Sequence, residues 1–276
     1  MYGRAKGDGW MATQLKSLNL PDSELCAAAI DYARNVSEPA LFHHVMRSAV
    51  FADAIGRKRK MKFDSEVLCV AAVLHDLGLT RLAPVQARFE LEGADAAKEF
   101  LVKRGMSERD IETVWEAIAL HTTAEIPSRR SPEIALCQMG VATDLFALPP
   151  DLMTAEQLDE VLEAYPWLGL DDALPLTLIG LFRKNPKAAS SNAVADACAL
   201  HTADFKKFNF CEHIVIKQQK PRAPDEDSGC GPSPAAGGTR GSRQGGAGLY
   251  SQSLRALSTK WFKRTKCRRR SNVQRL

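Results

Sequence analysis

Over the first 216 residues the apolar positions recur at spacings of three and four, and no interval keeps the strict apolar/polar alternation that a half-buried strand requires. An all-α fold is expected. Pro21-Asp22-Ser23-Glu24 opens a first helix with Leu25, Ala29, Tyr32 and Val36 on one face. A second is predicted from about residue 40 to residue 54, with Gly56 closing it. Asp64-Ser65 starts a third, whose Val67, Leu68, Ala71 and Leu74 face inward, and Gly78 should stop it just after His75-Asp76. A fourth covers about 93–104 and ends at Gly105, after which Ser107-Glu108-Arg109-Asp110 reads as a capping box. The fifth helix then carries Ile111, Val114, Trp115 and Ile118 inward and ends near His121. Ser131-Pro132-Glu133 caps a sixth, with an inner face of Ile134, Cys137, Val141, Leu145 and Leu148. Thr154-Ala155-Glu156-Gln157, Asp171-Asp172 and Ser191-Asn192 open three more, the last with Val194, Cys198 and Phe205 inward.

Composition changes this picture only at the ends. The 276 residues are 45% apolar and 25% charged, enough to bury a sizeable core. Residues 217–276 hold 14 Lys/Arg against 3 Asp/Glu, a net +11, whereas residues 1–216 hold 23 against 30, a net −7. Eight of the 18 glycines also fall in that C-terminal stretch. A chain so charged and so poor in apolar residues cannot bury a core, and disorder is expected there. The organisation predicted is a flexible N-terminus over 1–14, one helical domain over 15–216 and a disordered basic tail over 217–276. No run approaches the roughly 18 apolar residues of a bilayer span, and the first 30 residues lack an apolar leader core, so a cytoplasmic protein without a membrane partner is expected. Seven cysteines with no C-x-x-C pair argue against both a zinc ribbon and a disulfide framework.

The candidate chemistry begins with Asp144, which lies seven residues after Cys137 and three after Val141, inside the predicted core stripe of the sixth helix. A buried acid needs a cation, a set of hydrogen bonds or a metal. His75-Asp76 and His44, 31 residues upstream on an earlier helix, are the partners at hand. Convergence of His44, His75, Asp76 and Asp144 would join three helices around one ion. Two imidazoles and two carboxylates suit a borderline divalent ion such as Fe, Mn, Co, Ni or Zn. An ion with open positions polarises water into a hydroxide nucleophile near neutral pH. Each histidine taken alone reads first as a hydrogen-bonded core or surface imidazole, whereas an ion pair or a cap for a neighbour is the lesser reading of Asp144. Arg47, at i+3 from His44, is either a cation for an anionic substrate or a salt-bridge partner on its own helix surface.

The order His, His-Asp, Asp on successive helices resembles the HD-domain superfamily of metal-dependent phosphohydrolases. Leu41-Phe42-His43-His44-Val45-Met46-Arg47-Ser48 and Ala71-Ala72-Val73-Leu74-His75-Asp76-Leu77-Gly78 look like its first two motifs. Arg88-Phe89-Glu90, Gly93-Ala94-Asp95-Ala96-Ala97 and Ala117-Ile118-Ala119-Leu120-His121-Thr122 are similar to the cyanamide-hydratase-like branch, and the likeness covers about residues 15–210. The resemblance implies an HD-domain helical bundle with metal ligands at His44, His75, Asp76 and Asp144, and leaves His43 out. One metal is implied, Zn or Fe ahead of Mn, Co or Ni, because only His121 is available between Asp76 and Asp144 for a second. The branch implies hydro-lyase chemistry: hydroxide attacks the carbon of a small nitrile-type substrate and a nearby group donates the proton. Asp76, Arg47, Glu90 and His121 are the residues expected to serve catalysis, with Glu90 or His121 as proton shuttle. The plainer reading makes Glu90 a helix N-terminal acid and His121 a C-cap. A phosphohydrolase acting on nucleotides or other phosphate esters is the alternative enzyme, and a non-catalytic helical binding module the alternative of another class. Some relatives are dimers, so a homo-oligomer is compatible with the resemblance.

Other chemistries fit less well. No G-x-S-x-G elbow occurs, and an all-helical body lacks the strand such a turn follows. Cys69, Cys137 and Cys198 sit at or beside apolar helix faces as small hydrophobes. The basic run at 260–270 reads first as a solvated extension, and only second as a nucleic-acid contact or a nuclear address.

Overall fold

The structure is a computed structural model that describes residues 20–146, 149, 151–209, 211 and 212. Among these residues there are nine α-helices and no strand, so the chain is all-α. They are α1 (Glu24–Val36), α2 (Pro39–Lys58), α3 (Ser65–Leu74), α4 (Phe89–Val102), α5 (Glu108–Leu120), α6 (Pro132–Leu145), α7 (Ala155–Ala164), α8 (Leu170–Lys184) and α9 (Ala193–His201). None is long and apolar enough to cross a membrane. The predicted tail lies outside the described residues, as do the predicted flexible N-terminus, Leu148 of the sixth helix and the basic run at 260–270.

Local chemistry places most of the boundaries. Ser23 accepts from the Cys26 N–H, Asp64 from Glu66 and Val67, and Asn192 from Ala195, each satisfying donors that a helix start leaves open. Thr154 and Gln157 form a complete capping box. At α5 only half of one forms: Ser107 accepts from the Asp110 N–H, while the shorter Asp110 carboxylate takes the Ser107 hydroxyl instead of backbone. Ser131 makes no capping bond at α6, where Pro132 supplies the first helical position.

Two glycines predicted as helix ends act instead as close-approach positions. Gly56 lies inside α2, which runs on to Lys58, and a Cβ there would collide with the Phe63 ring and approach Leu136 Cδ1 to 2.9 Å. Gly78 sits in a single 3-10 turn, Leu77–Leu79, where a Cβ would strike the Phe89 carbonyl. Facing it is Gly93, whose own Cβ would stand 2.9 Å from the Gly78 nitrogen. Gly93 is thus a packing position within α4, which begins four residues earlier than the pattern predicts.

The main core joins α1 to α6, with α3 buried nearly all round. In α1 the buried stripe is Cys26, Ala29, Ile30 and Ala33, with Leu25, Tyr32 and Val36 along its margins. In α5 Ala117 joins Ile111, Val114 and Ile118, while the half-buried Trp115 donates from its indole nitrogen to Asp95 at 2.8 Å. A second cluster sets Leu178, Ile179 and Leu181 of α8 and Val194, Ala197 and Cys198 of α9 against Leu41, Leu79, Val85 and Phe89. Phe205 lies beyond the end of α9 and packs edge-on against Phe182. The close α2–α6 seam is set by Gly140, where a Cβ would meet the Ser48 carbonyl and stand 2.7 Å from Ala52 Cβ.

Candidate metal centre

Three helices converge on one buried point. His44 comes from α2, His75 and Asp76 from the chain just past α3, and His121 from the end of α5. His44 Nε2 lies 3.3 Å from His75 Nε2 and 3.6 Å from Asp76 Oδ2, and His75 Nε2 is 3.3 Å from that same oxygen. His121 Nε2 approaches the other oxygen, Asp76 Oδ1, at 3.5 Å.

The far side of each ring explains why this cluster suits a cation. His75 Nδ1 donates to the Ala72 carbonyl at 2.7 Å, and His121 Nδ1 to the Ile118 carbonyl at 2.6 Å. His44 Nδ1 donates to Asp144 Oδ2 at 2.7 Å. With Nδ1 donating outward, each imidazole turns Nε2 toward Asp76, and an Nε2 without a proton presents its lone pair to the carboxylate. Lone pairs and a carboxylate oxygen facing one another at about 3.3 Å repel unless a positive charge lies between them. His44, His75 and Asp76 form a group whose ligand atoms all lie within 4.8 Å of one another. Two imidazole nitrogens and one carboxylate oxygen are the donor chemistry of a borderline divalent ion.

Asp144 stands one layer back from that group. It is buried where the sequence places it, and both its oxygens are engaged: Oδ1 by Arg47 Nε at 2.7 Å, and Oδ2 by Arg47 Nη2 at 2.8 Å and by His44. The small residues at Gly140 and Ala52 let the antiparallel α2 and α6 approach, so Asp144, one turn beyond Gly140, meets His44 and Arg47. Arg47 is therefore an ion-pair partner across the seam, not along its own helix. Its Nη1 also donates to the Tyr165 and Pro166 carbonyls at 3.1 and 3.2 Å, and the guanidinium lies 4.7 Å from the Trp167 ring. His43 turns to the Pro166 carbonyl instead, at 3.0 Å. This 165–167 turn has no sequence signature that links it to the centre. Only the buried arginine's need for acceptors hints at it.

Glu90 is fully buried at the start of α4 and accepts from Arg88 Nη2 at 2.9 Å and from Thr122 Oγ1 at 2.7 Å. Thr122 follows His121, whose ring packs edge-on against Phe89. Arg88 enters the sequence only as part of the Arg88-Phe89-Glu90 stretch, with no role of its own. Its place two residues before Glu90 was the available signal.

Burial pushes the Asp76 carboxyl upward, yet when the facing rings hold a proton on Nε2 the charge of His75, the hydrogen bonds of His121 and His75 and the charge of His44 outweigh it, and Asp76 is then held well below the usual carboxylate range. Burial likewise opposes the ionisation of Asp144 and Glu90. Hydrogen bonds from His44 and Arg47 overcome it in Asp144, and those from Arg88 and Thr122 in Glu90, so both carboxyls are lowered. Cys137 behaves oppositely. Burial and then the Asp76 charge push its thiol up to about 12, which keeps it a protonated core group.

A family profile described as HD domain matches residues 41–203, more than half of the chain. The chain belongs to the HD-domain family. HD-domain proteins are generally metal-dependent hydrolases, and the His44, His75 and Asp76 donors of this HD domain are able to hold a divalent metal. A search of curated proteins finds no match to the chain.

Proposed function

We propose that this HD-domain protein is a metal-dependent enzyme that adds water to a small, uncharged nitrile-type substrate. The supporting observation is the fate of the two arginines near the centre. Arg47 is neutralised by Asp144, and Arg88 is paired with Glu90. Neither is left to meet an anionic substrate, whereas phosphoryl transfer calls for extra cations at the reacting group. The burial agrees: His44, Arg47, His75 and Glu90 each expose at most 1% of their surface, which favours a small ligand over a large phosphate ester.

In this reading a divalent metal supplies a water activated as a nucleophile. His44, His75 and Asp76 hold the metal, and Asp144 fixes the His44 ring so that Nε2 stays turned inward. His121, with Nδ1 committed to the Ile118 carbonyl, offers only Nε2 for proton transfer. Glu90, ionised and tied to Thr122, is the adjoining proton acceptor. The net reaction with cyanamide is balanced by one water: oxygen bonds to the nitrile carbon, the carbon–nitrogen multiple bond is reduced in order, and the two hydrogens finish on nitrogen, giving urea.

The test is metal analysis of the purified protein combined with assays for urea from cyanamide and for phosphate from a panel of nucleotides and phosphate esters. Urea formation with stoichiometric metal is the expected result. Phosphate release without urea would replace this reading by a phosphohydrolase, and a metal-loaded but inert protein would leave a non-catalytic binding module. Asp76→Ala should abolish turnover and lower bound metal while the far-ultraviolet helical spectrum stays intact. Turnover that survives in this variant removes Asp76 from the mechanism.

A further inference from the structure

At the C-terminal end of α2, Arg57, Lys58, Arg59, Lys60 and Lys62 place five cations within six residues, all of them exposed. Helix-end electrostatics accounts for some of these, since cations near a C-terminus offset its partial negative charge within the last turn. Arg57 further pairs with Asp53 at 2.6 Å and Lys58 with Asp151 at 2.8 Å, while Arg59 donates to the Met139 sulfur. Lys60 and Lys62 lie beyond the last turn, and neither forms an ion pair among the described residues.

The backbone at Lys60 turns sharply. The Met61 N–H closes onto the Gly56 carbonyl and the Lys60 N–H onto the Arg57 carbonyl, which wraps the chain around the helix end. The wrap requires φ +52° at Lys60, a left-handed conformation that glycine adopts without strain and lysine does not. A lysine is thus held at a position where glycine would make the same turn more easily. Its effect is to bring Arg57, Lys60 and Lys62 around one open pocket of about 480 Å³, with Met61, Phe63 and Ser65 completing the lining. The Phe63 ring is seated against Gly56, so the floor is apolar and fixed. The two acids beside it hold backbone donors, Asp64 those of Glu66 and Val67 as the cap of α3 and Glu133 that of Asp64.

We propose that this pocket is a binding site for a small phosphate-bearing anion with two or more linked phosphates. Lys60 and Lys62 grip the phosphates, while Arg57 at the rim stays paired with Asp53. The site is separate from the metal centre, because the stretch of α2 from His44 to Lys58 spans roughly 20 Å. It does not depend on the reaction proposed above.

Calorimetric titration of the full chain with tripolyphosphate and, separately, with ATP tests this at physiological salt. Saturable binding of at least one is expected, weakened about tenfold or more in Lys60→Glu/Lys62→Glu. Tighter binding of ATP would assign the apolar floor to a base, and equal binding would assign the site to the phosphates alone. Lys60→Gly should weaken binding yet raise the melting temperature, since it removes the cation and the backbone strain together. No saturable binding, or binding that persists in the double variant, overturns the proposal. Such persistence is what contacts through the metal centre or through residues 260–270 would give.

Discussion

Arg47 and Asp144 show how much a single pairing can govern in a dry interior. Removing one partner leaves the other charge buried and uncompensated, which typically costs about 3–5 kcal/mol, more than the intact pair contributes. Arg47→Met is therefore expected to destabilise the fold by about that amount in chemical denaturation. The loss should fall sharply when Asp144 is also replaced by an apolar residue of similar volume. Glu90 offers a pH test of the same physics. Its folded carboxyl titrates below its ordinary 4.5 because Arg88 and Thr122 outweigh burial. The stability it contributes is complete above the unfolded value and is lost as pH falls through the folded one. Glu90→Gln should accordingly flatten the decline of unfolding free energy below about pH 4.5. An unchanged acid limb would mean that Glu90 is not ionised in the native state.

At the scale of the elements, the glycines decide how closely helices approach. The α2–α6 seam depends on Gly140, and the seam in turn sets His44 and Arg47 against Asp144. Gly140→Ala should cost about 1–3 kcal/mol through overpacking and should also weaken metal binding, as Asp144 moves away from the His44 ring. Full metal affinity in a destabilised Gly140→Ala protein would separate the seam from the centre. The caps were legible from sequence because capping is a contact between neighbours: Ser23, Asp64, Thr154 and Asn192 all bond within three residues. Gly56 resembles a helix end in the sequence for the converse reason, and the packing role of Gly78 past the end of α3 is hidden in the same way. A glycine that ends a helix and one that admits a distant Phe63 ring or the Phe89 carbonyl look alike until the partner is known.

For the whole molecule, a bound metal would tie α2 to the end of α3 through His44, His75 and Asp76. Chelation should lower the melting temperature, and restoring free metal to about 100 times its dissociation constant should return about 2.7 kcal/mol of stability. Asp76→Ala protein should show no such response. We also expect a 1–216 fragment to keep the helical spectrum and the metal, because both core clusters and every donor of the centre lie within those residues.

The sequence by itself determined the all-helical class, most helix starts and the four acidic and imidazole positions worth attention, since periodicity, caps and motif spacing are properties of neighbouring residues. Only the tertiary structure decided which atoms face one another: the three Nε2 atoms turned toward Asp76, Asp144 bound by Arg47 behind His44, and Arg88 joined to Glu90. Those arrangements depend on contacts between residues up to a hundred positions apart, and on the burial that makes each unpaired charge or lone pair expensive. Neither quantity exists until the chain has folded.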